Sequence, residues 1–426
     1  MYFAVQMIEA LKRIWYQKEL RNRIVFTIIA IVIFRFLAHI PLPGVDRVQL
    51  RQLFSGNALL GLLSAFSGGT MENFSVVSLG LAPYINASII FQLLTFGFPK
   101  LKELSQEGEW GQAKINQYTR LLTLPLSIMQ GYGFFFLLRQ QGVVTAPTLL
   151  SLVALVLALS AGSLFMMWLG ELLSERGIGN GISLLIFVGI AAGYPLSLAQ
   201  SLMALTAGQV TNLVLFIVLL LGLFAAVVLI NEAVRRIPIQ YAVRGPNAGA
   251  QSFLPLRLNQ AGVIPIIFAV SLVLIPPTIA RYLSGIGNPQ LAQLSSEIIR
   301  LFTPTGFFYN LVYFTLVVLF TFFYTAVVFN TKDLAENLQK RGGFIPGIRP
   351  GMATKDLIDR IITRTTFFGA IFLGLIAILP SVGAALTGVN AFTLGGTGIL
   401  IVVSVVLETL RQLEGELSVR EYDGYL

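Results

Sequence analysis

Six residues in a long polar stretch, Pro346-Gly347-Ile348-Arg349-Pro350-Gly351, set a single arginine among two prolines and two glycines. Turn residues at this density hold a rigid tip, and a lone guanidinium on such a tip is shaped to dock against phosphate or carboxylate. The remaining polar groups of interest are amides and hydroxyls inside apolar stretches: Asn86, Ser88, Gln92, Gln130, Asn259 and Gln260. Taken singly, each reads as glue between packed membrane helices. Arg35, Glu171 and Glu175 fall near the ends of such stretches, so mid-membrane sites for ion coupling are nearly lacking. With no cysteine and one histidine, His39, the chain offers no disulfide frame, thiolate metal site, cysteine nucleophile or multi-histidine cluster. The sequence therefore reads as a non-enzyme with no catalytic residue, metal or cofactor.

The elements that must carry these residues follow from composition. At 426 residues, a soluble chain would form about three domains. Here hydrophobic residues make up 55% and charged residues 12%, with mean hydropathy +0.79, about half the charge of a soluble protein. These are the proportions of an integral membrane protein. A helix crosses a bilayer core of about 30 Å with about 20 apolar residues. Stretches that fit one span each are 24–45, which contains only Arg35, and 73–99, 121–138, 140–170, 258–280 and 301–331. Two longer stretches, 177–231 and 365–407, each hold two spans, with turns expected at Gly193-Tyr194-Pro195 and Thr206-Ala207-Gly208 in the first and from Pro380 to Gly396 in the second. The expectation is ten helices. Pro83 in the second span, and Pro265 and Pro276-Pro277 in the seventh, are expected to kink them.

Lysine and arginine are retained on the cytoplasmic side of a membrane. With the N-terminus inside, 23 of the 29 basic residues fall on inner segments, and six, Arg35, Arg47, Arg51, Arg139, Arg281 and Arg300, fall outside or at outer helix ends. The expected topology is multi-pass in the cell inner (plasma) membrane with both termini cytoplasmic. The first span begins late and is followed by Leu42-Pro43-Gly44-Val45-Asp46, which offers no small-x-small cleavage site, so it reads as a span and not as a signal peptide.

Inner loops 231–259 and 331–364 run to about 30 residues each and hold 11 of the basic residues. Charge alone is accounted for by the positive-inside rule and contact with anionic lipid. Length is not, and a large anionic cytoplasmic partner, ribosomal RNA or an acidic protein surface, is an equal reading. One further uncharged stretch, Leu53–Met71, has an apolar part, Ala58–Phe66, too short to cross; from periodicity alone it is an ordinary loop helix.

Nine ordered segments give the chain a resemblance. They are Pro41-Leu42-Pro43-Gly44, Phe66-Ser67-Gly68-Gly69, Pro83 to Ile90, Gln117-Tyr118-Thr119-Arg120, Trp168-Leu169-Gly170-Glu171, Glu175 to Ser183, Ala261-Gly262-Val263-Ile264-Pro265, Phe323 to Asn330 and Gly347 to Gly351. On these the chain resembles the SecY family, the central subunit of the bacterial-type Sec protein-conducting channel (translocon), over nearly its whole length. The resemblance implies an all-α membrane protein of ten helices in two pseudo-symmetric inverted halves, 1–205 and 206–426. It implies a channel that passes unfolded preproteins across the membrane and releases transmembrane segments sideways through a lateral gate formed by spans two, three, seven and eight. It turns the Ala58–Phe66 stretch into a plug half-helix at about 56–69, with Leu59, Leu60, Leu62, Leu63 and Phe66 as its apolar residues. SecE-like and SecG-like small subunits, the SecA ATPase, the ribosome, signal sequences and nascent polypeptides are the partners it implies, beside anionic lipids.

The resemblance also places a constriction at Leu81, Ile85, Ile182, Ile186, Ile267 and Ile401. They lie about 5 to 12 residues from the nearer end of their apolar stretches, roughly 8–18 Å deep, and Leu81/Ile85 and Ile182/Ile186 are i,i+4 pairs on one helix face. Aliphatic groups close around a peptide without hydrogen-bonding it and keep an empty constriction dry. Without the resemblance, these would be ordinary packing residues. Gln92, Gln130 and Asn259 fit the polar residues of the gate, and Arg349, Arg244 and Arg341 fit docking to a cytoplasmic partner. The loop tip at Arg244-Gly245-Pro246 is shorter and less basic than in many relatives, which weakens docking through the first loop. A secondary solute transporter is the alternative class; it accounts for the spans and kinks but not for the long loops or the segments above.

Overall fold

Ten helical segments among the described residues follow the stretches that lack charge, and five helices are long and apolar enough to cross a membrane by length and composition. The computed structural model describes residues 17–55, 60, 64, 67–144, 148–203, 210–241, 252–284, 289–304, 306–387 and 391–423. The spans are α1 (Lys18–Leu37), α3 (Ala82–Gly97), α5 (Glu109–Gln140), α6 (Leu149–Arg176), α7 (Gly181–Met203), α8 (Val210–Glu232), the broken helix α9–α10 (Ile264–Val273, Ile275–Leu283), α12 (Phe307–Val328), α14 (Met352–Thr387) and α15 (Ala391–Asp423). Between them lie α2 (Arg47–Ser55), α4 (Pro99–Gln106), α11 (Pro289–Leu301) and α13 (Thr331–Lys340).

Prolines behave differently from the sequence expectation, for reasons of position. Pro83 and Pro265 sit in the first turns of α3 and α9, where the missing N–H has no intrahelical partner to lose, so neither kinks its helix. The seventh span does break, at Leu274, just ahead of Pro276-Pro277. The turn expected at Gly193-Tyr194-Pro195 is absent, because α7 runs through Pro195 to Met203, whereas the break between α14, which ends at Thr387, and α15, which begins at Ala391, falls within the expected 380–396. The Thr206-Ala207-Gly208 turn lies outside the described residues.

The second span is also shorter than its apolar block. Residues 70–81 form a chain of turns held by hydroxyls: Thr70 Oγ1 donates to Ser67 O at 2.8 Å, Ser78 Oγ to Ser75 O at 2.6 Å, and Ser163 Oγ of α6 to Gly80 O at 3.0 Å. Local side-chain bonds of this kind offer the backbone an alternative to helix. Gly162 of α6 admits this segment by close approach, since a Cβ there would lie 2.0 Å from Val76 O.

The long inner loops are not irregular. β1 (Val234–Tyr241) pairs antiparallel with β2 (Ser252–Arg257) from Val234↔Arg257 to Ile239↔Ser252, and with β3 (Gly343–Phe344) at Gln240↔Phe344. Ile237, Ile239, Leu256, Leu338, Ile345, Ile358 and Ile362 form a separate small core beneath this sheet. The two loops are therefore one platform, an addition to the expected helical fold. Helices from the two ends of the chain meet along two lines: α7 packs on α15, and α9–α10 packs on α3 and α5.

Candidate functional site

A cavity of about 390 Å³ lies on the second of these lines. Its wall takes Ile85, Asn86 and Ile90 from α3, Gln130 from α5, Ile186 from α7, and Ile267 and Val270 from α9. Leu81, the residue before α3, also lines it, and Ile85 N bonds Leu81 O at 2.9 Å, which starts the helix and stacks the pair on one face. Asn180 sets the start of α7 by accepting from the N–H of Ile182 and Ser183, both at 3.1 Å, and this fixes Ile182 and Ile186 one turn apart. The wall is mainly aliphatic.

Of the six residues expected at a constriction, Leu81, Ile85, Ile186 and Ile267 line the cavity. Ile401 is fully buried in the same apolar cluster, and Ile182 is half-buried against it. All six thus lie in or against one cluster, drawn from α3 and the residue before it, α7, α9 and α15.

Leu60 closes the cavity at one side. It is buried, helical, and packed with Leu50, Phe54, Phe134 and Leu138. Leu59, Leu62, Leu63 and Phe66 lie outside the described residues. The segment ends at Gly68 and Gly69, both left-handed at φ 77° and 76°. A Cβ at Gly68 would lie 2.6 Å from Gly189 Cα on α7, so only glycine fits this turn. The Arg35 guanidinium of α1 donates to Gly68 O at 3.4 Å. The sequence places Arg35 near the end of its span, and only the fold brings it to Gly68.

The three amides expected to face one another do not hydrogen-bond to each other among the described residues. Gln130 lines the cavity. Gln92 donates to Ser88 Oγ on its own helix at 3.4 Å, and its buried Oε1 has no partner. Asn259 instead donates to Asn231 Oδ1 and Gly262 O, both at 3.1 Å, turning toward α8. Glu171, at the inner end of α6, forms an ion pair with Arg120 of α5 at 2.7 Å, which joins neighbouring helices. No group of three or more metal-ligating side chains occurs among the described residues.

On the platform, Arg349 is exposed between Gly347 (φ 81°) and Gly351 (φ 97°), and Thr354 Oγ1 donates to its carbonyl at 2.9 Å. Arg341, just past α13, is exposed as well. Arg244 lies outside the described residues.

The SecY family model matches residues 75–410. The chain is 41% identical to the protein translocase subunit SecY of Aquifex aeolicus over 99% of its own length and all of that protein. It belongs to the SecY family. It is 40% identical to the protein translocase subunit SecY of Halalkalibacterium halodurans over the same share of each chain. Among solved structures, it is similar to one described as a protein-conducting channel, with TM-score 0.69, 20% identity, and 93% of this chain and 92% of that one covered. Sec61 in a canine ribosome–channel complex is similar at TM-score 0.64 and 19% identity over the same coverage. These structures share the SecY fold of ten spans. SecY membership also leaves the solute-transporter reading without support.

Proposed function

We propose that this SecY-family chain is the channel subunit of a protein translocase, and that the aliphatic-lined cavity between α3, α5, α7 and α9 is its closed pore. The observation that carries this reading is the gathering of Leu81, Ile85, Ile186 and Ile267 around one cavity with Leu60 against it. Such a wall closes around an extended chain without binding it and stays dry when empty. Residues 1–205 and 206–426 form the two halves. The line where α9–α10 meets α3 and α5 is the lateral gate, which a hydrophobic signal sequence parts by partitioning between helices and lipid. Leu60 belongs to the plug; a related SecY structure is described as having a plug domain that stabilises the closed state and maintains a membrane seal.

With no hydrolytic constellation in the sequence, the energy comes from a partner. The platform docks the ribosome or the SecA ATPase through Arg349 and Arg341, with SecE-like and SecG-like small subunits beside the spans and anionic lipid around them. The channel reading is tested with an arrested preprotein in proteoliposomes. A crosslinker on Ile186→Cys is expected to capture the preprotein, whereas one on Leu221→Cys, which faces outward at 61% exposure, is not. Equal capture at the two positions would remove Ile186 from the path.

Localisation to the cell inner membrane with both termini cytoplasmic rests on the distribution of the basic residues. The Cys-free chain makes its test direct. In sealed cells, an impermeant thiol reagent is expected to label Gln141→Cys, which is exposed beyond α5, and to leave Lys340→Cys unlabelled until the membrane is opened. The reverse pattern inverts the topology.

A further inference from the structure

Both feet of the β1–β2 hairpin stand in one buried polar cluster. Asn231 and Glu232 close α8, two residues before β1; Asn259 follows β2 and precedes α9, the inner half of the broken gate helix. Asn259 Nδ2 donates to Asn231 Oδ1 at 3.1 Å, and Asn231 Nδ2 donates onward to Ser404 Oγ of α15 at 3.1 Å and to Val227 O of its own helix at 3.1 Å. Asn231, Asn259 and Ser404 are 6%, 5% and 4% exposed. The Arg411 guanidinium on α15 donates to Asn231 O and to Glu232 Oε1. Further along α15, Glu416 forms an ion pair with Arg23 of α1 at 3.0 Å.

An amide side chain accepts at one end and donates at the other, so Asn231 bonds Asn259, ahead of α9, and Ser404 of α15 at the same time. We propose that Asn231 is a positioning residue that couples the cytoplasmic platform to the lateral gate, by tying the hairpin's feet and the start of α9 to α15 through one side chain. This rests on the reading of the platform as a docking surface. A partner that tilts the hairpin moves residues 231 and 259, which flank it, and Asn259 holds Gly262 O within the turn that opens α9. Asn231 does not line the cavity, and its hydrogen bond toward α9 is the one to Asn259.

The test uses the Cys-free chain with Ile90→Cys on α3 and Ser271→Cys on α9, which line the cavity from opposite sides of the gate. Oxidative crosslinking of this pair in proteoliposomes is measured with and without purified non-translating ribosomes, and ribosome binding is measured separately by co-sedimentation. In the parent, bound ribosomes are expected to change the crosslinking rate. In Asn231→Ala the change is expected to shrink about threefold or more, the factor given by a typical interhelical hydrogen bond in membranes, at unchanged ribosome affinity. Ser404→Ala, which removes only the α15 acceptor and leaves Asn231 bonded to Val227 O, is expected to act in the same direction and serves if Asn231→Ala folds poorly. A full response in both variants overturns the proposal. A parent that binds ribosomes without any change in crosslinking overturns the coupling and leaves docking intact, whereas a parent that does not bind them overturns the docking reading and the coupling with it.

Discussion

Arg349→Glu is expected to slow preprotein translocation by about tenfold or more, the scale set by losing a charge-assisted contact and creating a like-charge one. The side chain is exposed, and its loop is held by main-chain features that the substitution leaves in place: left-handed turns at Gly347 and Gly351 and the Thr354 bond to the Arg349 carbonyl. Folded yield and thermal unfolding in detergent should therefore match the parent. Arg349→Lys keeps the charge but loses the planar fork, and an intermediate rate is expected. Rates are measured by protease protection of a preprotein in proteoliposomes, once driven by the SecA ATPase and once by translating ribosomes. Normal rates by both routes would end the docking role of this arginine. The small core beneath the sheet makes the prediction sharp, because a tip on a packed platform transmits a lost contact as lost affinity instead of absorbing it by bending.

Arg349 was legible in the sequence because proline and glycine set the geometry of a tip locally. The spans were legible for a comparable reason: a membrane demands about 20 apolar residues per helix and sorts lysine and arginine to one side. What escaped depends on packing between distant segments. Pro195 was expected to mark a turn, yet it sits inside a helix, since proline in a membrane helix is tolerated when neighbours satisfy the freed carbonyls. The platform was unseen because β1 needs β3, only two residues long and about 100 positions away, and its strand pattern is interrupted by Pro238. Asn259 shows the limit for single polar residues: an amide near the gate was visible, but its partner Asn231 lies 28 positions away across a hairpin. The residues of the cavity wall came from family resemblance alone, since Ile186 and Leu221 do not differ in type in any way that tells a cavity from lipid.

Ile186→Asn and Ile401→Asn are expected to make the resting channel leak ions, with conductance in planar bilayers about tenfold above the parent, while Leu221→Asn does not. The magnitude follows from burying an amide in an aliphatic wall, which costs roughly 1–3 kcal/mol without a hydrogen bond. At 186 the side chain lines the cavity, and at 401 it lies fully buried in the same cluster as Ile186 and Ile267. Either the amide stays dry, and the closed state is destabilised relative to an open one in which water reaches it, or water follows it in and the constriction no longer dewets. Both routes weaken the seal. Both also lower the cost of opening, so preproteins with weak signal sequences should pass more readily through the same variants. At Leu221 the amide meets lipid or interface in closed and open states alike, so the balance between them is unchanged. Conductance must be normalised to folded channel, because an ordinary packing role for Ile401 predicts a different pattern: reduced folded yield, and surviving protein that conducts no more than the Leu221→Asn control. That pattern at 401 alone would confine the seal to the residues that face the cavity; at both positions it would remove the aliphatic wall as the barrier and leave the segment around Leu60 as the seal.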